Sequence, residues 1–278
     1  MGILNVTLID VGWGDSIFIE HVDEHGVPHY GLVDSNDSKG VKSTRTFIER
    51  FFRLKRQTVP FPLFDFVLLS HGHDDHAKGL GGILREYGAG QFLHAKSKQE
   101  TLGPIAPLIK YCMRANSKVG HFEAVDRSKR FPDFGDVEID VLWPQRDRID
   151  SNENNNSVVL ALRYDRQSIV LTGDVEEEVW ETIASEIPAD TVFFKVPHHG
   201  SRNGSLDRDG HTTWLPHCPA QARLGISCMY RRDYRHPHEE VLAAFTDAGR
   251  IHHRTDEQYH VTVALDGVHP ATVKYSHT

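Results

Sequence analysis

The stretch FDFVLLSHGHDDHAKGL, residues 64–80, constrains this chain more than any other. Its first part is apolar almost without interruption, the pattern of a strand covered on both faces rather than of a half-exposed strand that alternates. Directly after it, three histidines and two aspartates crowd positions 71–76. Loops at the ends of buried strands are where a rigid scaffold carries chemistry. The small residues of AKGLGG then let a following helix pack closely beside a crowded site. The fold must therefore bury this strand between two layers and keep a knot of imidazoles and carboxylates at its end.

Strand signals of the same kind fall at 3–10, 15–20 and 30–35 before this stretch, and helical spacing in VKSTRTFIERFFRLK predicts a helix over 41–55. A second helix is expected from Ala77 to Tyr87 and a third around 104–115. The second half repeats the order, with strands at 137–143, 157–164 and 168–173, a helix from Val175 to Ile187, and a strand at 191–196. A strand at 222–228, a helix near 238–248 and closing strands around 259–265 and 271–275 complete the reading. So many strands with interspersed helices are buried by two sheets packed face to face with helices outside.

The residue types in the knot suit a metal. His71 and His73, two apart, can aim both rings at one ion, while Asp75 and His76 start the next helix and can reach a second. Imidazole nitrogen with carboxylate oxygen fits Zn²⁺ and is tolerable to Mn²⁺, Fe²⁺ or Co²⁺. The competing reading is a solvated histidine-rich loop with Asp75 as a helix cap. Asp174, at the end of IVLTGD, occupies the matching place in the second half, but with Glu177 it also fits a capping box. In FFKVPHHGS the adjacent His198 and His199 would point in opposite directions on an extended chain, so only one is expected on a given ion.

SHGHDDHAKGL resembles the H-x-H-x-D-H signature of the metallo-β-lactamase superfamily. LIDVGWGDSIFIE, NNNSVVLALRYDRQSIVLTGDVEEEVWETI, KVPHHGS and YRHPHEEVLAAF are similar to the hydrolase domains of ComEC-type competence proteins. The resemblance implies an αββα sandwich of two mixed sheets, here one domain over 1–278, and one or two divalent ions, zinc or manganese. It places His71 and His73 on the first metal, Asp75, His76 and His199 on the second, and Asp174 as the bridge. Asp75 is implied to orient the attacking water, Asp34 to hydrogen-bond a ligand histidine, and His198 to serve substrate or support a ligand. The chain departs from the superfamily where the loop NENNNS lacks a histidine, which leaves Asn155 or Asn156 to fill the place through an amide oxygen or a water. Asp10 and Asp15 of DVGWGDS read only as turn residues.

Two divalent ions can activate a water and polarise an ester or phosphoryl oxygen, so hydrolysis is the expected reaction, and no serine or cysteine has triad-like partners. In YRRDYRHPHEE, arginine can grip phosphate and histidine or tyrosine can serve a leaving oxygen. His236 is a candidate catalytic contact, and Tyr234, Arg235 and His238 are candidate substrate-binding residues. The resemblance implies a phosphodiesterase, with DNA or a small nucleotide as substrate. The net charge of −8 gives no general attraction to nucleic acid. Hydrolysis of carboxylic esters or lactones shares every ligand, and a non-catalytic metal-binding regulator is the reading from another class. With no apolar span, no leader pattern and no paired cysteine spacing, a cytoplasmic protein away from membranes is expected, its three cysteines incidental.

Overall fold

The run FDFVLLS is apolar because its two faces are claimed by different neighbours. Phe66 and Leu68 point into one buried cluster, shared with Leu160, Leu162, Ile169 and Phe193 of the second half. Val67 and Leu69 point into another, shared with Phe47, Ile48, Leu80 and Ile83 of flanking helices. The structure, a computed structural model, describes residues 2–98, 101, 103–229 and 235–277.

The strands are β1 (Ile3–Leu8), β2 (Ile17–Val22), β3 (Pro28–Val33), β4 (Phe64–Leu69), β5 (Ala89–Ala95), β6 (Val119–Val125), β7 (Glu138–Trp143), β8 (Val159–Tyr164), β9 (Gln167–Leu171), β10 (Thr191–Lys195), β11 (Arg223–Ile226), β12 (His252–Arg254), β13 (His260–Leu265) and β14 (Thr272–Ser276). The helices are α1 (Ser43–Leu54), α2 (Asp74–Ala77), α3 (Leu80–Tyr87), α4 (Ala106–Cys112), α5 (Glu177–Ile183), α6 (Arg202–Ser205), α7 (Glu239–Asp247) and α8 (Thr255–Gln258).

Among the described residues one sheet runs β14-β13-β1-β2-β3-β4-β5-β6 and the other β12-β11-β10-β9-β8-β7. Each combines antiparallel neighbours with a parallel block, β3 to β6 in the first and β9 to β12 in the second. The first buried cluster lies between the sheets, the second packs α1, α3 and α4 on the larger sheet, and a third sets Val179, Trp180, Val241 and Phe245 against the smaller. This is the expected αββα sandwich.

Several expectations need correction. The helix expected from Ala77 to Tyr87 starts later, as α3 at Leu80, with the short α2 before it; Gly79 between them packs where a Cβ would stand 2.1 Å from Ser35 Oγ and 2.6 Å from Asp37 N. The helix expected from Val175 to Ile187 is confined to α5 and a 3₁₀ turn over Ala184–Glu186, and Asp174 does not cap it: Glu176 occupies the N-cap position, without a side-chain cap bond. Strands β5, β6 and β12 were not foreseen. The parallel blocks bring the carboxyl ends of β3, β4, β9, β10 and β11 to one edge of the sandwich, the place where open sheets leave a crevice for ligands.

Candidate metal centre

Five strand ends deliver the site. Asp34 follows β3, His71 to His76 follow β4, Asp174 follows β9, His198 and His199 follow β10, and Ser227 follows β11. One oxygen, Asp174 Oδ2, stands at the middle. It lies 3.2 Å from His76 Nε2, 3.3 Å from His199 Nε2, 3.9 Å from His198 Nε2 and 4.0 Å from His71 Nε2. The backbone N–H of Asp174 donates to Ser157 Oγ at 3.0 Å, which fixes the approach of its side chain.

The remaining ring nitrogens are occupied by the scaffold. Asp34 Oδ2 accepts from His76 Nδ1 at 2.7 Å, and Asp34 is itself held by the N–H and hydroxyl of Ser70 at 2.7 and 2.6 Å. His199 Nδ1 donates to the carbonyl of Ser227 at 2.9 Å. Such partners fix the tautomer and leave Nε2 free for an ion. The Nε2 of His199 is buried and makes no hydrogen bond. His71 Nε2 and His73 Nδ1 are 3.0 Å apart, near the roughly 3.3 Å that two nitrogens on one tetrahedral ion would keep. Asp75 Oδ2 lies 3.9 Å from His76 Nε2 and 3.7 Å from His199 Nε2. The groups His71, His76, Asp174 and Asp75, His76, His199 each bring their ligand atoms within 4.8 Å of one another.

Charge explains why such a set wants cations. Three buried carboxylates, Asp15, Asp34 and Asp174, and the partly exposed Asp75 crowd the cluster, and among the described residues the Lys195 ammonium is the buried lysine charge beside them. Burial penalises the charged form of Asp174, yet His199 and His76 outweigh it and hold the carboxyl well below its usual range. Burial likewise opposes charge on His76 and His199, but Asp174 and its neighbours raise His76 well above the ordinary value and His199 to about 10. His71 goes the other way, pushed well below by burial and by His76, so its lone pair is available. A set of neutral imidazole, ionised carboxylate and an orphaned ring nitrogen fits divalent metal ions.

His198 and His199 correct the expectation of opposed side chains. Both adopt left-handed backbone, φ +47° and +54°, so both rings turn toward Asp174. Non-glycine residues in that region are strained and concentrate at functional sites. They differ in surroundings: His199 is fully buried, whereas His198 stays partly exposed with Nδ1 3.2 Å from Glu176 Oε1. Glu176 is held by the side-chain amides of Asn152 and Asn154 at 2.8 and 2.7 Å.

Asn155 and Asn156, expected to replace the missing histidine, build the loop instead. Asn155 Oδ1 accepts from the N–H of Glu176 at 2.9 Å and Asn156 Oδ1 from that of Asp150 at 2.7 Å. Asn154 is the neighbour whose Oδ1 is buried without a hydrogen-bond partner. His236 is buried beside the cluster, its ring stacked on Trp13 at 5.2 Å and 5.3 Å from that of His198. Burial and the adjacent histidines push its pKa down to about 3. His238 accepts from the N–H of Arg202 at 3.0 Å, and Arg235 is exposed with φ +57°. Tyr234 lies outside the described residues.

Three neighbours of the centre were not singled out. Asp15 is not a mere turn residue: it is buried, with Oδ2 2.5 Å from Lys195 Nζ and 3.9 Å from His76 Nδ1. Asp10, by contrast, does make a turn, accepting from the N–H of Gly12 at 3.0 Å. The signal for Lys195 was its place within the apolar run FFKVP, where a cation must have a buried partner. Nothing in GDVEEEVW distinguished Glu176 from an ordinary acidic first turn.

The family model for the metallo-beta-lactamase superfamily matches residues 64–211. ComE operon protein 3 of Bacillus subtilis is 26% identical over an alignment 253 residues long that covers 85% of this chain and 30% of that protein, so the chain spans under a third of this relative. Among solved structures, the metallo-beta-lactamase fold protein YhfI of Bacillus subtilis is 11% identical with a TM-score of 0.53, covering 91% of this chain and 96% of that one. CmlA, a diiron beta-hydroxylase from Streptomyces venezuelae, is 14% identical with a TM-score of 0.51, covering 99% of this chain and 54% of that one. By the match to its family model, which spans the first cluster, Asp174 and both histidines after β10, this chain belongs to the metallo-β-lactamase superfamily.

Proposed function

We propose that this protein is a metal-dependent hydrolase of phosphodiesters that holds two divalent cations, zinc or manganese. His71 and His73 would hold one, Asp75, His76 and His199 the other, with Asp174 shared. The observation that carries this reading is the convergence of four Nε2 atoms on the single oxygen Asp174 Oδ2, within 3.2–4.0 Å. When bound, the two cations supply an acidified water and neutralise charge on the scissile group.

The chain's own residues do the rest. Asp75 is partly exposed at the mouth of the cluster, where it can orient the water as well as bind. Glu176 favours the His198 tautomer with the proton on Nδ1, leaving Nε2 to accept one. His236, kept neutral by burial, contacts the substrate on the side covered by Trp13, with His238 and Arg235 beyond it. Of the two imidazoles next to the cluster but outside the ligand set, His198 would hand a leaving alkoxide the proton that its Nε2 has taken up, whereas the neutral His236 only contacts the substrate. The phosphodiester itself is favoured by the resemblance to ComEC-type domains, which spans both halves of the chain.

The test joins metal analysis to hydrolysis of bis-(p-nitrophenyl) phosphate, single- and double-stranded DNA, RNA, cyclic dinucleotides and lactones, with Zn²⁺ and with Mn²⁺. Metal-dependent cleavage of a phosphodiester by the wild type, abolished in Asp174→Ala together with metal binding, is the expected result. Equal metal content and equal cleavage in both proteins would place the site elsewhere, and turnover confined to lactones would move the substrate class.

A further inference from the structure

Lys195 is the last residue of β10 and is completely buried, an unusual place for an ammonium group unless its partners are built around it. Its Nζ lies 2.5 Å from Asp15 Oδ2 and 3.8 Å from Asp174 Oδ1, and donates to the carbonyl of Gly173 at 3.1 Å. Asp174 thus has two unlike oxygens. Oδ2 faces four imidazole nitrogens, whereas Oδ1 is buried, has no hydrogen-bond partner, and has the Lys195 ammonium as a neighbouring cation.

Asp15 completes the arrangement from the other sheet. It comes from the loop between β1 and β2, and its Oδ1 lies 3.7 Å from His199 Nδ1. The glycine before it, Gly14, lets that loop lie directly on the cluster. At φ +102° a Cβ there would stand 2.2 Å from the carbonyl oxygen of Asp75.

We infer that Asp15 and Lys195 form a buried pair that positions Asp174, the ammonium claiming Oδ1 so that Oδ2 alone serves the cations. This rests on the proposed metal centre. Lys195 is a positioning residue, not a catalytic one: it makes no contact with the substrate side of the cluster, and a carboxylate free to offer both oxygens to one ion would no longer be shared between two. Asp15 keeps the lysine charged and aimed, and without it the ammonium would be drawn wholly to Asp174.

A crystal structure of the metal-loaded wild type tests the pair directly. Asp174 bound through one oxygen, with the other within hydrogen-bond distance of Lys195 Nζ, is expected. Both oxygens on metal, with Lys195 turned to Asp15 alone, would overturn the inference, whereas failure of any metal to enter would instead sink the proposed centre. Metal titration of Lys195→Met and of the charge-neutral Asp15→Asn/Lys195→Met double variant, followed by Co²⁺ absorption, separates positioning from charge balance. Both variants should bind one of the two ions at least tenfold more weakly and show an altered Co²⁺ band. Recovery of wild-type stoichiometry and spectrum in the double variant would mean that Lys195 only balances Asp15. Should Lys195→Met fail to fold, the double variant and the wild-type structure decide.

Discussion

Asp34 Oδ2 and His76 Nδ1 are 2.7 Å apart and both fully buried, and through this contact a residue at the end of β3 sets the direction in which a histidine of α2 presents its other nitrogen. The same carboxylate holds the N–H of Ser70, so it also fixes where the loop after β4 begins. Asp34→Ala should therefore weaken metal binding by roughly 10–100-fold, the usual loss when such a supporting partner is removed. A competition titration with a chelating dye measures this, and unchanged affinity would show that His76 needs no support.

Gly14→Ala places a methyl group against the backbone of Asp75 in a conformation that side chains rarely adopt. Strain of about 1–3 kcal/mol is expected, with Asp75 and the adjoining ligands displaced. Urea unfolding and metal content together check this: wild-type values for both would mean that the loop yields without disturbing the site.

His253 gives a pH effect remote from the proposed ligands. It is buried, with Nδ1 2.7 Å from the Tyr275 hydroxyl and Nε2 without a partner, and burial above all, with Arg223, lowers its pKa to about 4. A neutral histidine with a depressed folded pKa supports the fold above its unfolded value near 6.5 and loses that support as pH falls through the folded value. Stability should decline between about pH 6.5 and 4, by about 3 kcal/mol from this group. The difference in unfolding free energy between pH 7 and pH 4 should be smaller in His253→Gln than in the wild type, and equal slopes would remove His253 from the account.

Stripping metal should lower thermal stability, since the carboxylates gathered around Lys195, His76 and His199 then lose the cations that would balance them. A divalent ion that binds only the folded chain adds about 2.7 kcal/mol when present at 100 times its Kd. Melting temperature should rise with Zn²⁺ or Mn²⁺ and return on chelation. The Asp174→Ala variant should show little of this rise, and a full rise there would point to a different ion site.

Much of the framework was legible from sequence because strands covered on both faces are nearly continuous in apolar residues, as FDFVLLS, SVVLALRY and TVFFKV show. Strands β5 and β6 escaped because AGQFLHA and VGHFEAV carry glycine and polar residues within short apolar stretches. The left-handed turn at His198 and His199 was hidden for another reason. Backbone held there by tertiary context leaves no mark on local periodicity, and an extended chain, the default after a strand, would make the rings diverge. For Asn155 and Asn156 the sequence gives only a place in a loop, whereas their amide oxygens accept from Glu176 and Asp150, partners that local sequence does not specify. Asp15 and Lys195 sit 180 residues apart, and a pairing at that separation has no local signature.

The pairing of β1 with β13 has a consequence for how the chain comes together. Leu8 lies opposite Val261, and β2 flanks β1 on its other side, so β1 is an interior strand of its sheet. During synthesis β1 can pair with β2 at once, but its second edge stays open until β13 has been made. Contacts so distant along the chain form slowly. The loop that carries Asp15 springs from β1, so the pocket that gathers the histidines rests on a strand made long before the neighbour that encloses it.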